Sequence, residues 1–90
     1  MEPTILVNDE HIGDTAEMMT SPDYKERFKA EYIQLTIRIS KLAKMLSDWV
    51  VGELDFTPTC PFELLRAQLS AMQVYRHFLV ERAKLEGIEL

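Results

Sequence analysis

Ninety residues, 28% of them charged and with a net charge of −5, bound one small acidic domain. A single cysteine, Cys60, excludes an intrachain disulfide, and no run nears the roughly 18 apolar residues that a membrane span needs. At this size a core is marginal unless a metal, a disulfide or a partner subunit adds to it.

One thiol without a bridge suits a reducing compartment. The apolar stretch TILV is too short for a secretory signal and has no basic region before it. The expectation is a soluble, cytoplasmic protein. Residues 1–23 hold six acids and no Lys or Arg, and the remaining 67 residues hold nine acids against ten bases. Bulk acidity argues against non-specific DNA binding, which needs Lys and Arg at the phosphates. The helical part is nearly neutral and leaves room for a local anion site.

Residues 1–20 read as an acidic arm. PTILVND suits a short extended segment, and DTAEMM suits a turn or two of helix capped by Asp14 or Thr15. Neither is long enough to stand alone. The first long helix is expected over about 22–50, with Ser21 as N-cap, Pro22 at the first position and Asp23 at the positive end of the dipole. Its seam is Phe28, Tyr32, Leu35, Ile39, Leu42, Leu46 and Trp49, in alternating steps of three and four. Gly52 ends it, and a loop of about ten residues follows. The second helix is expected over about 61–86, capped by Cys60 or Thr59, with Pro61 at its first position and Gly87 beyond its end. Leu65, Leu69, Met72, Tyr75 and Leu79 form its seam, broadened by Leu64, Ala71, Val74 and Phe78. Two even helices of roughly 40 Å joined by a short connection predict an antiparallel hairpin.

Ile33, Ile37, Val74, Phe78 and Val80 are surplus to such a hairpin. Burying each is worth about 1.5–3 kcal/mol, and leaving them all in water makes an adhesive surface. Two compatible expectations follow. Hairpins pack on one another as a homo-oligomer, with Ile33, Ile37, Val74 and Phe78 at the interface. Alternatively the arm folds over the second stripe through Ile5, Leu6, Val7 and Ile12.

Signs of catalysis are sparse. His11, His77 and Cys60 have no metal-ligand spacing, the three glycines are isolated, and nothing marks a triad. No catalytic residue, metal or cofactor is expected. The charges say more. An antiparallel hairpin sets Lys25, Arg27 and Lys29 near Arg76, Arg82 and Lys84. The same end holds Tyr24, Phe28, Tyr32, Tyr75, His77 and Phe78. Arginine offers phosphate a fork and aromatic rings stack on bases, so bases among rings suit a nucleotide. Tyr24, Arg27, Lys29, Arg76 and Arg82 are the candidate contacts, with Tyr32 or Tyr75 stacking. The plain alternative is a solvated face tied by i,i+4 pairs, Asp23–Arg27, Arg27–Glu31 and Arg82–Glu86, with the aromatics in packing.

Asp23, Tyr24, Arg27, Glu31, Tyr32 and Leu35, then Leu64, Leu65, Gln68, Leu69, Ala71, Met72 and Tyr75, resemble the paired motifs of a family of small phage-encoded proteins, often labelled crAss-phage-related. The resemblance covers about 23–46 and 61–82. By architecture, that family is similar to the phage sponge proteins that antagonise CBASS and Thoeris immunity. The resemblance implies an oligomeric protein that traps a cyclic nucleotide or an ADP-ribose-type messenger without chemistry, in the cytoplasm of an infected bacterium. Fold alone does not carry function. Two other readings stand beside it: an acidic inhibitor whose arm engages a host protein, and a small structural or assembly protein. The connection is too long for a helix-turn-helix reader of DNA, and neither DNA nor membrane is expected as a partner.

Overall fold

A computed structural model describes residues 10–90, with the side chains of residues 10, 11, 12 and 14 outside the description. The expectations placed on Ile5, Leu6, Val7 and Ile12 therefore lie outside the described residues. The described residues are all-helical and form three helices: α1 (Glu10–Met19), α2 (Tyr24–Val50) and α3 (Phe62–Glu86). There is no strand among the described residues. The third helix corrects the expected count of two. The segment read as an arm holds ten residues of regular helix. Ten residues are too few to hold a helix in water, so α1 depends on what it touches.

It touches α2, which is the central element. Both α1 and α3 pack on α2, and they do not approach each other closely. Gln34 Nε2 donates to Thr15 Oγ1 at 2.8 Å, which ties the second stripe of α2 to α1. On that stripe Ala30 and Ile37, seven residues apart, have no exposed surface, and Thr15 is buried opposite. Ile37 is thus buried within one chain, and its burial requires no second copy.

The other face of α2 builds the main core. Phe28, Leu35 and Ile39 meet Leu79, Ala83 and Ile88, with Tyr32, Leu69 and Met72 packed against them. At one end of the pair the Arg82 guanidinium lies over the Phe28 ring. At the other, Trp49 meets Phe62 edge to face, 5.2 Å between centroids. The start of α2 therefore lies by the end of α3, and its end by the start of α3.

The helix ends explain why the chain turns where it does. Asp23, not Ser21, caps α2: its side chain accepts from the Lys25 amide at 2.9 Å. Ser21 stands two residues earlier, where its Oγ accepts from the Asp23 amide at 3.1 Å. Pro22 sits between them, ahead of the cap, and α2 starts at Tyr24. Both long helices stop in the same way. Gly52 (φ 78°) and Gly87 (φ 71°) take the left-handed conformation, which glycine adopts without penalty. Six-to-one bonds then close each end, Glu53 N to Asp48 O at 2.8 Å and Ile88 N to Ala83 O at 2.9 Å. The second returns Ile88 into the core beside Ala83. At the start of α3 the cap is Pro61, in extended conformation and without a side-chain bond. The expected cap from Cys60 or Thr59 does not form.

Candidate functional site

Helical spacing brings Tyr24, Arg27, Phe28 and Glu31 to one face of α2, in steps of three, four and seven. Arg82 reaches them from the last turns of α3, and Met19 borders them from the end of α1. Together these six line an open cleft of about 310 Å³, at the small end of the range for ligand pockets.

Its polar groups are held by identifiable contacts. Arg27 Nη1 donates to the Ser21 carbonyl at 2.6 Å, so the turn before α2 sets that guanidinium. Arg82 bridges Glu86 through Nε at 3.0 Å, which is the expected i,i+4 pair. Its guanidinium carbon stands 4.8 Å from the centroid of the Phe28 ring, within cation–π range. The cleft thus offers two planar cations, the exposed ring of Tyr24 and the half-buried carboxylate of Glu31. That set can hold an anion carrying an aromatic ring. Glu31 and Glu86 restrict where its negative charge can sit.

Of the seven candidate contacts, Tyr24, Arg27 and Arg82 come together here. Lys29 and Tyr32 do not. They line a separate cleft of about 120 Å³ with Ile33, Glu89 and Leu90. Residues 27 and 29 are two apart on a helix and face different ways. Arg76 is half-buried on α3 and Tyr75 is exposed, and neither lines either cleft. Arg76 is six residues from Arg82, a spacing that separates the two around the helix.

The sequence reading did not assign Met19, Phe28 or Glu31 to the site. The i, i+3, i+4, i+7 spacing of Tyr24, Arg27, Phe28 and Glu31 was the available signal for the latter two. Met19 had none, because its place depends on α1 packing on α2. The same side of α2 continues through Arg38, Lys41 and Met45, which form a further cleft of about 320 Å³ with Leu65, Gln68 and Met72. Among the expected interface residues, Ile37 is buried, Ile33 is half-buried, and Val74 and Phe78 are exposed.

The electrostatics away from the cleft are ordinary surface pairing. The Lys44 ammonium is held above its usual pKa, mainly by its hydrogen bond to Asp48 Oδ2 at 2.9 Å. Among the described residues, no cluster of His, Cys, Asp and Glu is arranged to hold a metal ion. No described helix is long and apolar enough to cross a membrane.

No curated protein and no solved structure matches the chain. The sequence model of the Sequestin family matches residues 22–85. That span takes in α2 whole, all but the last residue of α3, and every residue of the Arg27–Arg82 cleft except Met19. With well over half of its length matched, the chain belongs to the Sequestin family.

Proposed function

We propose that this protein binds and sequesters a nucleotide immune second messenger without converting it. In this reading it is a phage-type anti-defence protein at work in the cytoplasm of an infected bacterium. The family's name supports the sequestering of a molecule. The choice of a cyclic nucleotide or an ADP-ribose-type messenger is our reading of the cleft. One observation carries it: Arg27 and Arg82, from different helices, flank an open cleft that also presents the exposed ring of Tyr24, with Phe28 buried beneath Arg82. Guanidinium forks suit phosphate, and the face of an exposed ring suits a base. The lining favours holding a ligand over reacting with it, being two cations, aromatic and apolar side chains and a single carboxylate.

Thermal unfolding against cyclic dinucleotides, cyclic trinucleotides and ADP-ribose derivatives tests this. A ligand of the native state at a hundred times its dissociation constant adds about 2.7 kcal/mol, a rise of several degrees in Tm for a chain of this size. We expect one class to raise Tm, and Arg27→Ala and Arg82→Ala each to abolish the rise. No rise with any compound at saturation overturns the reading. A rise that survives both substitutions moves the site away from this cleft.

A further inference from the structure

We infer that the cleft walled by Arg38 and Lys41 is a second binding site, and that it takes a soluble aliphatic carboxylate, an alkyl chain ending in one anionic group. Arg38, Lys41, Leu42 and Met45 stand at i, i+3, i+4 and i+7 on α2 and so share one face. Leu65, Gln68 and Met72 meet them from α3, again in steps of three and four. The space between the two faces is about 320 Å³, as large as the Arg27–Arg82 cleft. Arg38 lies eleven residues beyond Arg27, about 16 Å along the helix. The two clefts are therefore different places.

The lining selects the chemistry. Leu42, Met45, Leu65 and Met72 are each half-buried, so the floor is apolar and only partly covered. Met72 is also packed against the main core, which anchors that floor. Arg38 and Lys41 stand exposed at the rim. Arg66, Arg82, Lys44 and Lys84 each hold a carboxylate, whereas Arg38 has no ion pair or hydrogen bond among the described residues. From α3, Gln68 adds a carboxamide, whose Nε2 lies 3.8 Å from Met72 Sδ. Among the described residues that line it, the cleft has neither a carboxylate nor an aromatic ring. The Arg27–Arg82 cleft differs on both counts, through Glu31 and Tyr24. Without a ring there is no face for a base to stack on. An alkyl chain instead meets leucine and thioether, and the unbranched methionine side chain adapts to it. A carboxylate at the end of that chain matches the Arg38 fork. The site does not depend on the nucleotide reading.

Decanoate, added to the full chain carrying ¹³C at its methionine methyls, tests this. Met45 and Met72 line this cleft and Met19 lines the other, so one spectrum reports on both. We expect decanoate to shift the Met45 and Met72 signals to saturation and to leave that of Met19 in place. Affinity should rise about fourfold for each methylene added from hexanoate to decanoate. Arg38→Ala should fold as the parent does, because Arg38 is exposed, and should weaken decanoate about fivefold. Arg38→Lys should recover most of that loss. No shift with decanoate overturns the site, as does a shift of every methionine signal without saturation. Decanol binding as tightly as decanoate removes the anion from the inference and overturns it. Anionic phosphatidylglycerol vesicles that sediment the protein through Arg38, with decanoate inert, overturn a soluble occupant. A nucleotide that moves Met45 and Met72 where decanoate does not would overturn it too, and would extend the nucleotide site to this cleft.

Discussion

Thr36 is buried on α2, and its Oγ1 finds no hydrogen-bond partner among the described residues. A buried hydroxyl without a partner costs desolvation and returns nothing. Valine has the same shape and β-branching and no polar atom. Thr36→Val is therefore expected to leave stability unchanged or raise it by about 1 kcal/mol. The midpoint of a urea titration reads this directly, and a loss of more than 1 kcal/mol would mean that the hydroxyl has a role. At this scale the site was only half legible. Arg27 and Lys29 were assigned together because both are basic and close in sequence. Helical geometry already separates them, and they line different clefts. Composition placed the right residue types at the right end of the molecule, and angular position decided which of them converge.

At the scale of elements, α1 has least local support and the most dependence on packing. Gly13 lies in its middle, and no basic residue stands in its last turn. Its length is below what holds alone in water. What fixes it is α2, through the buried Thr15 and the Gln34 bond. Thr15→Val removes that acceptor at constant volume and leaves the Gln34 amide unpaired. The expected loss is about 1–2 kcal/mol, and hydrogen exchange should quicken in α1 before it does in α2 or α3. Uniform quickening across all three helices would show that α1 is not a separate unit. The long helices were legible because their seams repeat over about four to six turns and glycine ends both. Their starts were less so. Serine, cysteine and threonine are all competent caps, and only the path of the chain through Pro22 and Pro61 selects among cap positions. α1 went unread as a full helix because its stability comes from a contact nineteen residues away.

For the whole molecule, the second apolar stripe of α2 posed the main question, and it has an answer inside one chain. Ala30 and Ile37 are covered without a partner. The surplus lies instead on α3, where Leu64, Val74, Phe78 and Leu85 are exposed among the described residues. A sequence reading sees that both long helices carry extra apolar residues. It cannot see which surplus α1 absorbs, because that depends on how three helices are arranged around α2. Among the described residues, α1 thus covers one side of the central helix, and α3 carries apolar side chains that none of them covers.

Trp49, the sole tryptophan, stands at the end of α2 farthest from Tyr24, against Phe62. Twenty-five residues of helix separate the two, about 37 Å. The molecule so carries a fluorophore at one pole and its cleft at the other. Emission excited in the indole band reports whether α2 and α3 remain together at the loop end, and it should shift to the red as that edge-to-face contact opens. A molecule entering the cleft near Tyr24 should leave the emission unmoved. A ligand that does move it would be one whose binding is felt along the entire length of the helix pair.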